Sequence, residues 1–177
     1  MNFTIKRIVA TAIGAAIFFL LARFVSIPVF ANTNLTLQYA IVGFFAVVFG
    51  PISGLLIALI GHALTDLSWG GVWWSWVIAS TFVGLCSGFL VKSRKVEEGE
   101  FGKIDILRFI IGSLVIHALA WGLVAPGLDI LIYAEPVEKI FVQGLIAGIS
   151  NFVITAIVGT LLLFGYSKTR VKSGSLD

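Results

Sequence analysis

Charge is scarce in this sequence. Only 12% of its residues are Asp, Glu, Lys or Arg, where a soluble domain carries about a quarter. With 59% apolar residues, the chain holds more apolar surface than a water-soluble core can hide, so a soluble globular domain is excluded. One cysteine, Cys86, excludes an internal disulfide. Two histidines and one cysteine give no metal-binding spacing, so no metal is expected. No G-x-x-x-x-G-K-[ST] run cradles a nucleotide, and neither G-x-S-x-G nor H-E-x-x-H occurs. The residues therefore predict no catalytic centre and no cofactor. The net charge of +3 is no sign of nucleic-acid binding, because the basic residues sit at the ends of apolar runs.

Long apolar runs are what the chain does have. A spanning helix takes about 20 mostly apolar residues. Six stretches approach this, at about 4–24, 37–49, 52–67, 73–91, 104–124 and 137–166. Pro51 breaks the run at "FGPISG", and Gly70 and Gly71 make a turn of "SWGG". "KSRKVEEGEFGK" is a charged connector, and "APGLDILIYAEP", with a proline near each end, reads as a lid between the fifth and sixth helices. The expectation is an all-α integral membrane protein of six transmembrane helices, a single membrane domain over residues 1–177. Lys6 and Arg7 before an apolar run, with "VFA" before Asn32, imitate a cleaved signal, but Arg23 and Pro28 interrupt the run.

Orientation follows from the cations. Lys6, Arg7, Lys92, Arg94, Lys95, Lys103, Lys168, Arg170 and Lys172 fall on one side of a six-helix arrangement, and Arg23 and Lys139 near the other. That asymmetry places the N- and C-termini in the cytoplasm of a bacterial-type cell membrane. Asp66, Asp129, Glu135 and Glu138 collect outside.

Depth comes next. Asp66 ends the third helix at the outer face, with His62 about 6 Å deeper on the same side of the helix. Trp73, Trp76 and Ser80 share a face of the fourth helix. His117 and Trp121, four apart, share a face of the fifth; Gln143 and Asn151 share one of the sixth. Ionisable groups in lipid cost about 2.5 kcal/mol or more at mid-depth, so they face protein or a water-filled cavity. A polar, aromatic-walled cavity, open outside and closed below, accommodates all of them. Indoles offer stacking faces and N–H donors to a small flat molecule. The rival readings are an interfacial belt for Trp69, Trp73 and Trp74, a structural His62–Asp66 pair, a core His117, and Asn151 as helix glue. Arg23 either snorkels to the surface or pairs with an acidic lid residue. In "ATAIGAA", Ala10 and Gly14, and Ala12 and Ala16, form small-residue pairs where another helix can approach. "GLIAG" at 144–148 is a similar pair suited to internal packing.

The block "LARFVSIPVFANTNLTLQYAIVGFFAVVFGPISGLLIALIGHALTDL", followed by "WWSWVIAS", resembles the substrate-binding S components of energy-coupling factor (ECF) vitamin transporters. The branch is similar to that of riboflavin, hydroxymethylpyrimidine or pyridoxine carriers. The resemblance implies an S subunit of an ECF-type ABC importer that captures a small heteroaromatic vitamin from outside. It implies partners: a transmembrane coupling (T) subunit and two ATP-binding subunits. It implies that Ala12 and Ala16 face the T subunit, and that the loop after the first helix covers the pocket, which adds Asn32 and Asn34 to the candidate contacts. The family has no pocket motif common to all vitamins, so the remaining candidates rest on depth: Gln38, His62, Asp66, Trp73, Trp76, Ser80, His117, Trp121, Gln143 and Asn151. Two other classes stay open. One is a stand-alone proton-coupled secondary carrier or channel using His62 and Asp66; the other is a membrane enzyme with Asp66 and His117 as acid and base.

Overall fold

Gly50 and Pro51 divide the apolar stretch after residue 37 into two helices. Gly50 sits at φ +99°, a backbone angle that disfavours side chains, and Pro51 opens the next helix, where its missing N–H is no loss. The computed structural model describes residues 4–30 and 33–170. In chain order it contains α1 (Ile5–Phe24), β1 (Ser26–Phe30), β2 (Thr33–Thr36), α2 (Gln38–Phe49), α3 (Pro51–Ser68), α4 (Trp74–Ser87), a short α5 (Ser93–Glu97), α6 (Lys103–Tyr133) and α7 (Val137–Lys168).

Among the described residues, α1, α3, α6 and α7 are long and apolar enough to cross a membrane. α2 and α4 are apolar but shorter. At 1.5 Å per residue they reach roughly 18 and 21 Å, against a hydrocarbon core of about 30 Å. The long helices carry much of the exposed apolar surface, with Leu123, Leu131, Leu145 and Leu161 all exposed.

Two segments differ from the sequence reading. The "APGLDILIY" stretch is not a lid but the continuation of α6 to Tyr133. Pro126 has no N–H, and its ring would press on the carbonyl of Gly122. One wide π turn, Ala120–Val124, takes up that conflict just before the proline, and the helix goes on. α7 has a second such turn at Thr155–Gly159. The other difference is the link after α1. It is a two-stranded antiparallel hairpin, with Ser26 opposite Thr36, Ile27 opposite Leu35 and Pro28 opposite Asn34.

Glycines set how closely the helices approach. A Cβ on Gly54 would lie 2.3 Å from the Gly84 carbonyl oxygen, and one on Gly84 2.2 Å from that of Gly54, so α3 and α4 touch backbone to backbone. Gly144 does the same for α7 against α6, where a Cβ would meet the Trp121 carbonyl oxygen at 2.1 Å. Gly14 packs α1 on Ile57, so the Ala10–Gly14 pair is internal, whereas Ala12 and Ala16 remain exposed. Two apolar clusters fill the interior. One surrounds Phe18, Tyr39, Ile57 and Trp121; the other surrounds Val47, Val96, Phe109 and Leu163. The charged connector is fastened by Lys95, whose Nζ lies 3.0 Å from Oδ1 of the buried Asp105.

Candidate functional site

α3 and α4 meet through a carboxylate. Asp66 lies in the last turn of α3, and its Oδ2 accepts the Trp73 backbone N–H at 2.9 Å. The chain between them turns at Gly70, φ +113°. One turn deeper, His62 Nε2 is 3.5 Å from Asp66 Oδ1. His62 Nδ1 is hydrogen-bonded to Ser80 Oγ on α4, and Ser80 Oγ to the Tyr39 hydroxyl on α2 at 2.6 Å. With an ionised Asp66 the proton of His62 belongs on Nε2. Ser80 then donates to Nδ1 and Tyr39 donates to Ser80, giving one directional chain.

α6 supplies the opposite wall. Asp129, within one turn after Pro126, accepts from three donors of the α4 N-terminal region. These are Trp73 Nε1 at 2.7 Å, Trp76 Nε1 at 2.8 Å and the Ser75 hydroxyl. Tyr133, four residues on, accepts the Trp74 backbone N–H at 3.0 Å and stacks on the Trp73 ring with centroids 4.2 Å apart. Trp121, in the π turn, donates its indole N–H to His117 Nδ1 at 2.9 Å. An indole only donates, so that nitrogen carries a lone pair and His117 Nε2–H donates to Thr155 Oγ1 at 3.1 Å. Trp76 and Tyr39 pack on Trp121 with ring centroids 5.3 and 5.4 Å away.

Between these walls lies an open cavity of about 600 Å³, within the 300–1,000 Å³ usual for small-molecule sites. Of the residues singled out from the sequence, Asn34, Gln38, His62, Asp66, Trp73, Trp76, Trp121, Gln143 and Asn151 line it. Ser80 and His117 are buried behind the wall and hold His62, Tyr39 and Trp121 in place. Asn32 lies outside the described residues. Pro28, Phe30 and Thr33 bring the hairpin to the same cavity. The Arg23 guanidinium lies over the Trp69 indole, 4.0 Å from the ring centroid, and not against an acidic lid.

Sequence reasoning did not select Tyr39, Thr65 or Asp129, which also line the cavity. Asp129 had a usable signal. Trp121, Ala125, Asp129 and Tyr133 recur every four residues, but only a helix that passes Pro126 gives that spacing meaning.

A helical bundle with apolar flanks and a polar, aromatic-walled recess is the form of a membrane protein that holds a small molecule. The chain belongs to the family described as ECF-type riboflavin transporter, S component, which matches over residues 2–168. Members of that family are substrate-binding subunits of transporters, not enzymes. Similar relatives include a UPF0397 protein of Exiguobacterium sp. (strain ATCC BAA-1283 / AT1b), 50% identical over 177 residues, or 99% of this chain and 97% of the relative. A UPF0397 protein of Enterococcus faecalis (strain ATCC 700802 / V583) is 47% identical over 176 residues, or 98% of this chain and 96% of the relative. Among solved structures, that of FolT bound with folic acid superposes with a TM-score of 0.60 at 14% identity. It covers 89% of this chain and 94% of that one, which shows a shared fold.

Proposed function

We propose that this chain is the substrate-capture subunit of an ECF-type importer. It binds a small heteroaromatic vitamin or precursor of the hydroxymethylpyrimidine, pyridoxine or riboflavin type, in a pocket open to the outside of the cell membrane. In this reading the chain is one membrane domain. α1, α2, α3, α4, α6 and α7 make six crossings, with α2 and α4 shielded by longer neighbours, and both termini are cytoplasmic, as the cation asymmetry favours. A T subunit and two ATP-binding subunits supply the energy, and the exposed Ala12 and Ala16 offer the T subunit a close-packing face on α1.

The observation that carries the reading is the roughly 600 Å³ cavity, to which α2, α3, α6, α7 and the hairpin all bring polar side chains. Mass spectrometry of the purified protein should find a bound heteroaromatic vitamin. Equilibrium binding should be micromolar or tighter and weaken at least tenfold in Trp76→Ala. Failure to bind any member of a B-vitamin panel would sink the proposal.

The chain Tyr39–Ser80–His62–Asp66 favours a second reading, a stand-alone proton-coupled carrier. That reading requires uptake into vesicles holding this chain alone, abolished by a protonophore. Uptake that appears only after T and ATP-binding subunits are added rejects it.

A further inference from the structure

The cavity's donors and acceptors are unequally free. Four indoles line it, and the N–H of three of them is already engaged. Trp73 and Trp76 donate to Asp129, and Trp121 donates to His117. The Thr65 hydroxyl donates to the Gly61 carbonyl at 2.8 Å, leaving its oxygen as an acceptor. The Tyr39 and Ser80 hydrogens run along the chain toward His62, whose own Nε2–H faces Asp66.

Acceptors are left over, beside the buried Thr36 hydroxyl, which lines the cavity and can accept or donate. Gln38 Oε1 is buried and has no hydrogen-bond partner among the described residues, and Gln38 lines the cavity at 9% exposure. A buried carbonyl without a partner has given up its hydrogen bonds to water for nothing, so an orphan of this kind points to a donor that arrives with a ligand. Asp66 Oδ1 has the His62 edge at 3.5 Å and otherwise faces the cavity.

Charge leans the same way. The charged lining residues are Asp66, Asp129, Glu135 and Lys139, and the Lys139 ammonium is held by Glu135 at 2.7 Å. Arg23, near the mouth, lies over Trp69 and does not line the cavity. An entering phosphate or carboxylate would meet acceptors and uncompensated negative charge in a partly dry site, where like charges repel more strongly than in water.

We infer that this site, on the capture reading given above, takes a neutral or cationic nitrogen heterocycle whose edge donates hydrogen bonds to Gln38 Oε1 and Asp66, and rejects phosphorylated and carboxylate-bearing forms of the same rings. The indoles present faces for stacking, and specificity resides in the acceptors. Asp66 is the specificity-determining carboxylate, and the polar floor beneath it fixes its orientation.

The test is a matched panel, measured by titration calorimetry on the full chain in lipid nanodiscs. It pairs pyridoxamine with pyridoxamine 5′-phosphate, hydroxymethylpyrimidine with its monophosphate, thiamine with its monophosphate, and riboflavin with flavin mononucleotide, and adds folic acid. The expected result is that at least one unphosphorylated member binds, with its phosphorylated partner and folic acid at least tenfold weaker. Asp66→Asn should weaken a cationic ligand at least tenfold and narrow its lead over the phosphorylated form. A phosphorylated member or folic acid binding as tightly as the unphosphorylated members overturns this inference and leaves the capture reading standing. Binding of no member overturns both. An unchanged preference in a folded Asp66→Asn protein removes the role given to Asp66. The wild-type panel decides the charge class even if that variant does not fold.

Discussion

The Trp76 indole N–H donates to Asp129 Oδ2 at 2.8 Å across 53 residues of sequence, and Trp73 reaches the other oxygen of the same carboxylate. One side chain of α6 thereby fixes the orientation of two rings on the α4 side.

Asp129→Asn keeps one oxygen and turns the other into a donor. At least one buried N–H or O–H then faces another donor, at about 1–3 kcal/mol. The melting temperature in detergent should fall, and further in Asp129→Ala, which leaves all three donors unmet. Ligand affinity should fall with it. An Asn variant as stable as the parent would show that the three bonds carry little weight.

Gly54→Ala tests the backbone contact between α3 and α4. Its Cβ would sit 2.3 Å from the Gly84 carbonyl oxygen, and backbone yields poorly. Overpacking of this kind costs about 1–3 kcal/mol or more. Gly165→Ala, with nothing within 4 Å, is the matched control inside a helix. It should be neutral or stabilising by up to about 1 kcal/mol. Thermal melts of the two variants should move apart.

Ala12→Leu combined with Ala16→Leu enlarges an exposed face of α1 without entering the core. Ligand binding by the isolated chain should be unchanged, while uptake in vesicles holding the T and ATP-binding subunits should drop at least tenfold. Equal loss in both assays would move these alanines from docking to folding.

Tyr39→Phe removes the first donor of the chain ending at Asp66 while keeping the ring against Trp121 and His117. The loss in stability should be about 0.5–1.5 kcal/mol. Affinity should drop more in this variant than in Thr169→Ala, whose hydroxyl bonds only the Tyr166 carbonyl at the far end of α7.

Apolar run length made the helices readable, and four-residue spacing placed His62 with Asp66 and His117 with Trp121 on shared faces. Both pairs are in contact. Two things were hidden. A proline usually ends a helix, and nothing in "WGLVAPGLD" announces that a π turn will absorb it, so Asp129 and Tyr133 fell outside the helix that carries them. In the hairpin, Pro28 inside a five-residue strand masks the pattern, and such short pairings depend on what they pack against. Hydrogen-bond direction was hidden as well. Three tryptophans read as donors to a ligand, yet the fold assigns each N–H to an internal acceptor.

The glycine contact between α3 and α4 lies toward the end of the bundle away from the recess, with the methyl groups of Ala46 and Ala58 beside it. With no side chain at this seam to change rotamer, backbone alone sets the spacing of α3 and α4.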